Sequence, residues 1–150
     1  MKKNILIFLA TITLFSCTDD VSFNNPSFQG VKDGEIWRAT DARVIANANG
    51  TFIIEAYTQF EVVKLEISSG AVGTRVFGIN NANKASYQST LNGTTTSFST
   101  GVGIGSGELK ITESPSVTGK LSGTFKFGAV GADGKESGFR NGVIYSIPIK

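Results

Sequence analysis

The chain has 150 residues, with 14 Lys and Arg against 12 Asp and Glu, 18 Gly, 3 Pro, one Cys and no His. Without histidine no Ser-His-Asp or Cys-His nucleophile system and no imidazole metal site can be built, and a single cysteine gives neither an internal disulfide nor a thiolate zinc cluster. The length suits one packed domain that buries roughly two-thirds of its unfolded surface.

Lys2 and Lys3 precede an apolar run from Ile5 to Phe15, the charge-then-apolar layout of a secretory signal. The run is too short to span a bilayer, which takes about 20 residues. Leu14-Phe15-Ser16-Cys17 resembles the lipobox of bacterial lipoproteins, in which the cysteine thiol takes a diacylglyceryl group and the chain is cut just before it. The resemblance makes residues 1–16 a cleaved signal helix and Cys17 the lipidation site. Cleavage leaves 134 of the 150 residues and removes Lys2 and Lys3, so 12 basic residues then face 12 acidic ones. A neutral mature chain offers no basic surface to nucleic acid, and none is expected as a partner. Its membrane contact is expected through acyl chains on Cys17, at about 0.8 kcal/mol per buried methylene.

Residues 17–27 are polar and lack apolar periodicity, which reads as a flexible tether. Ten such residues reach at most about 35 Å. Asp19-Asp20 resembles the acidic export signal of Bacteroidota lipoproteins sent to the outer face of the outer membrane; an ordinary solvated tether accounts for it equally.

From residue 28 to 150 the pattern is period two, without a helical stretch of a dozen residues. Val63, Leu65 and Ile67 alternate with Lys64 and Glu66; Leu109 and Ile111 alternate with Glu108, Lys110 and Thr112. Leu121, Gly123, Phe125 and Phe127 share a face, and Val143, Tyr145, Ile147 and Ile149 are assigned another. Asp33-Gly34, Asn49-Gly50, Asn92-Gly93, Asp133-Gly134 and Asn141-Gly142 are dipeptides that supply positive φ to hairpin turns. The expectation is an all-β, antiparallel domain of about eight to eleven strands, closed as a barrel or paired as a sandwich.

Phe28-Gln29-Gly30-Val31-Lys32-Asp33-Gly34-Glu35-Ile36-Trp37-Arg38-Ala39, then Gly107 to Thr112, Leu121 to Phe127 and Asn141 to Ile149 together resemble a family of small Bacteroidota lipoproteins of unknown function. The resemblance implies a calycin-like or similar antiparallel β fold and an envelope location. It carries no activity and therefore no functional residues.

Four features touch on chemistry. Gly101-Val102-Gly103-Ile104-Gly105-Ser106-Gly107 fails the dinucleotide fingerprint, because Ser106 stands at the last glycine and no helix follows; a connection where backbones approach closely suits it better. Ala129 to Glu136 lacks both the first glycine and the hydroxyl of a P-loop and reads as a hairpin loop. Glu55, Glu61, Glu66, Glu108 and Glu113 qualify by type alone for the carboxylate pair of a glycoside hydrolase. Trp37 has an apolar face and a polar tip, which suits either a ligand contact or a core plug near the first hairpin, the second being the usual role of a large aromatic in a small core.

The functional expectation is a non-catalytic envelope lipoprotein at the outer membrane, periplasmic or surface-facing, without metal or cofactor. It would bind a small apolar ligand, a glycan or a partner protein, with Trp37 as the ligand contact if there is one. The alternatives are an accessory subunit of a larger envelope complex and, behind it, a carboxylate-based hydrolase.

Overall fold

A computed structural model describes residues 27–150. The signal segment 1–16, Cys17 and nearly all of the tether lie outside the described residues. Eleven strands follow: β1 (Phe28–Lys32), β2 (Glu35–Arg38), β3 (Asp41–Ala46), β4 (Phe52–Tyr57), β5 (Glu61–Ile67), β6 (Gly73–Phe77), β7 (Lys84–Ser89), β8 (Thr96–Ser99), β9 (Ser106–Glu113), β10 (Lys120–Gly131) and β11 (Glu136–Pro148). Every ladder is antiparallel.

The sheet forks at β10. Its residues Ser122 to Gly128 pair with β9, which in turn holds β6, whereas Val130 and Gly131 pair with β8. From β8 the sheet runs on through β7, β5 and β4 to β3; on the other side β10 pairs with β11, then β1, then β2. The C-terminus returns to β3, where Ile149 bridges Val44 and the Lys150 N–H donates to the Val44 carbonyl at 2.8 Å. The result is a curled sheet that nearly closes on itself.

Alternation explains the core. Val63, Leu65 and Ile67 of β5, Leu109 and Ile111 of β9, and Leu121, Phe125 and Phe127 of β10 are buried, as the period-two pattern requires. Aromatic rings fill the interior: Phe139 lies 5.2 Å from Phe127, 6.0 Å from Phe125, 5.8 Å from Tyr87 and 5.5 Å from Trp37, and Phe28 lies 4.6 Å from Phe125.

Four of the five turn dipeptides sit between strands. Asp33 and Gly34 have φ of 49° and 97° and close the two-residue turn from β1 to β2. The fifth requires correction. Asn141-Gly142 lies inside β11, which starts at Glu136, and forms a bulge opposite Phe125 with Asn141 at φ 51°. Glycine is required there because a Cβ on Gly142 would stand 2.4 Å from the buried Phe125 ring. Gly142→Ala is therefore expected to cost about 1–3 kcal/mol through overpacking. An unchanged urea midpoint would show that the ring moves aside freely.

The C-terminal face also differs from expectation. Val143 and Tyr145 point outward, Ile144 and Ile147 are buried, and the strand changes face at Ser146, which holds φ 50° beside a register shift. The Gly101 to Gly107 segment makes the close approach its composition suggested: a Cβ on Gly105 would lie 2.4 Å from the Gly128 carbonyl, and one on Gly107 2.3 Å from the Lys126 carbonyl.

Candidate functional site

One end of the curled sheet carries an open cleft of about 350 Å3. The end of β1 supplies Lys32 and the turn after it Asp33, β7 supplies Tyr87 and Ser89, β8 supplies Thr96 and Phe98, and the β10–β11 hairpin supplies Lys135 to Ser137. Tyr87 and Phe98 stack with ring centres 5.9 Å apart.

Beneath the cleft lies a carboxylate, Glu61. It follows the parity of Val63 and Leu65, so it points inward from the first residue of β5. Trp37 Nε1 donates to its Oε2 at 2.8 Å, the Tyr87 hydroxyl donates to its Oε1, and Lys32 Nζ lies 4.0 Å from Oε1. Lys32 also stands 4.7 Å over the Tyr87 ring centre, a cation–π position. Partial burial makes each contact worth more than at the open surface, and leaves each group dependent on its partners. Among the described residues no buried side-chain nitrogen or oxygen lacks a hydrogen-bond partner.

Asp33 links the turn to β11. Its carboxylate accepts from the Gly138 N–H at 2.7 Å and the Ser137 hydroxyl at 2.8 Å, with Lys32 Nζ at 3.4 Å. Burial works against ionisation, but the Gly138 amide, the Ser137 hydroxyl and Lys32 outweigh it and hold the Asp33 carboxyl below the ordinary aspartate value. Burial likewise opposes the charge on Lys32, and contact with Tyr87 and Asp33 overcomes it, so its ammonium titrates higher than usual. Burial and donation to Glu61 both push the Tyr87 phenol up.

A lowered carboxylate value means that the stabilisation from Asp33 is complete above the unfolded-state value and disappears as pH falls through the folded one. The wild-type urea midpoint is therefore expected to fall below about pH 4 more steeply than that of Asp33→Asn. Parallel acid profiles would remove Asp33 from the account.

Trp37, the residue singled out for ligand contact, is 5% exposed and lies edge-on to Phe28 and Phe139. It is not among the residues lining the cleft and is linked to Tyr87 through Glu61 and through the Phe139 ring. The five glutamates have separate partners: Glu55 binds Arg43 at 2.7 Å, Glu66 binds Lys64 at 2.8 Å, Glu108 binds Lys126 at 3.1 Å and Glu113 accepts from the Ser122 hydroxyl at 2.6 Å, while Glu61 holds the buried end of the cleft. Among the described residues no three His, Cys, Asp or Glu converge as a metal site. Lys32 and Asp33 were not singled out as site residues from the sequence. The available signal was Glu61, a charge at an inward-facing position of an otherwise apolar strand face.

Fold and cleft together define an all-β domain whose interior is filled by its own aromatic side chains and whose most elaborated polar site lies at one rim. The family described as Domain of unknown function (DUF6252) matches residues 24–148, and the chain belongs to that family. No curated protein and no solved structure matches it.

Proposed function

We propose that the chain is a non-catalytic lipoprotein of the bacterial envelope, cut before Cys17 and held at the outer membrane by acyl chains on that residue, whose folded domain binds a glycan at the rim cleft. One observation carries the choice of ligand: Phe28, Phe125, Phe127 and Phe139 occupy the interior where a small apolar ligand would otherwise lie. The cleft instead presents hydroxyls from the exposed Thr94 and Thr96, the half-buried Phe98 ring, and charges of both signs. Sugar rings combine hydroxyls with apolar C–H faces, and these groups complement both.

Because Trp37 touches Glu61, and Glu61 touches Tyr87 at the cleft, Trp37 fluorescence reports on occupancy. Titration with an oligosaccharide panel is expected to shift its emission, Phe98→Ala to abolish the shift, and fatty acids to have no effect. Silence across the panel in both fluorescence and calorimetry would sink the glycan reading. The anchor has its own test: Cys17→Ala is expected to eliminate acyl labelling and membrane partition, and persistence of both would refute lipidation.

A second reading, an accessory subunit of an envelope complex, is favoured by a patch beside β6. Among the described residues this strand pairs only with β9, and Val76, Ile79, Val102 and Ile104 are exposed around it, their segments joined by the Gly103 N–H donating to the Gly78 carbonyl at 2.9 Å. Co-purification of an envelope protein that is lost in Ile79→Asp would favour that reading over the first.

A further inference from the structure

The outer face of β9, β10 and β11 carries a groove that shares only Asp33 with the lining of the rim cleft. Two hollows of about 340 and 420 Å3 adjoin at Lys126. The floor of the second is the cross-strand pair Gly128 and Gly138.

Gly128 is the informative residue. Glycine inside a strand is destabilising, so its presence needs a reason. The other strand glycines have one: a Cβ on Gly123 would stand 2.4 Å from the Lys110 carbonyl, one on Gly138 3.1 Å from the Phe127 carbonyl, and Gly73 and Gly107 hold positive φ. Gly128 has no positive φ, and a Cβ there would meet nothing within 4 Å. Neither backbone conformation nor packing asks for glycine at this place. Gly128 is the last β10 residue paired with β9 before the strand passes to β8, and the open space above it leaves room for a ligand to approach the backbone closely, a setting in which strand glycines occur.

The walls indicate what that is. Lys126 binds Glu108 at 3.1 Å, but Lys110 and Arg140 have no carboxylate within salt-bridge distance among the described residues. The bulge in β11 sends Arg140 and Asn141 to the surface in succession. Glu108 and Asp33 add acceptors at the edges. A peptide finds no free ladder here, because β9, β10 and β11 are each paired on both sides. A phosphate-dense chain would set its charges against Glu108 and Asp33. A chain bearing carboxylates for Lys110 and Arg140, and hydroxyls for Glu108, Asp33 and Asn141, fits both signs. From Gly138 to Val143 the groove follows five strand steps, roughly 17 Å, the length of an oligomer.

We propose that this groove binds a segment of an acidic, uronate-containing polysaccharide lying across Gly128 between Lys110 and Arg140. The test is calorimetry with a size ladder of oligogalacturonates against a neutral gluco-oligosaccharide ladder, on the full folded domain. Affinity for the acidic ladder is expected to rise with length and then level off, and to weaken at high salt. Gly128→Leu, which fills open space, is expected to lower it at least tenfold with an unchanged melting temperature. The double substitution Lys110→Ala with Arg140→Ala is expected to do the same, and carries the test should Gly128→Leu perturb folding; Lys64→Ala, on β5, is the charge control. Absence of acidic binding at every length, or binding indifferent to both variants, would overturn the proposal. Neutral oligomers at the rim cleft are expected to bind both variants normally, so the two sites succeed or fail separately.

Discussion

Replacing Phe139 with alanine is expected to lower the unfolding free energy by about 4 kcal/mol, within the range measured for buried aromatic truncations. Phe139 is 1% exposed and is the ring on which four others converge: Trp37, Tyr87, Phe125 and Phe127. Truncation removes the transfer term of the ring and leaves a cavity walled by groups that cannot all move inward, because they are fixed on three different strands, β2, β7 and β10. Beyond burial, each aromatic pair contributes about 0.5–1.5 kcal/mol, so several such terms vanish together. Urea unfolding followed by far-ultraviolet circular dichroism measures the loss without relying on Trp37, whose own surroundings change. A loss below about 1 kcal/mol would mean that the neighbouring rings collapse into the space.

Glu61→Ala is expected to cost about 3 kcal/mol, from leaving two donors without their acceptor at about 1–3 kcal/mol each. The donors are Trp37 Nε1 and the Tyr87 hydroxyl, and Lys32 loses its nearest inward-facing anion as well. Glu61→Gln keeps one carbonyl oxygen and is expected to cost about half as much. The Lys32 contribution is the smaller part: at 4.0 Å and partly exposed to solvent, that ion pair is worth about 0.5 kcal/mol. A double-mutant cycle with Lys32→Met separates the two. Equal stability of the wild type and Glu61→Ala would show that water replaces the carboxylate at no cost.

The strands were readable because each buried face is written locally. Val63, Leu65 and Ile67, or Leu109 and Ile111, need no knowledge of their neighbours to be assigned inward. Departures from that reading arise where a distant group decides. Asn141-Gly142 has the same local chemistry as Asp33-Gly34, yet one is a bulge and the other a turn, because the Phe125 ring occupies the space above Gly142. Ser146 reverses the faces of β11 through a positive φ at a residue type that rarely adopts one, so Val143 and Tyr145 are exposed. The fork at β10 has no local signal at all, since pairing with β8 or β9 depends on where those strands arrive. At the rim, Asp33 was visible as a turn residue, while its bonds to Ser137 and Gly138 join positions more than a hundred residues apart.

The pairing of β1 with β11 sets the order in which the molecule can be assembled. Phe28 opposes Ile144, so β1 has only the short β2 as a ladder partner until β11 follows. β10 can pair with β9 early, but neither the Phe28–Phe125 contact nor the Asp33 link to Gly138 can be secured before β11 is in place. Pairings so distant in sequence make folding slow, and a chain cut short before β11 would leave one edge of β10 and one edge of β1 without partners. The join between β1 and β10 is therefore made only once β11 is present, although the ladders from β3 to β7 and between β9 and β10 do not depend on it.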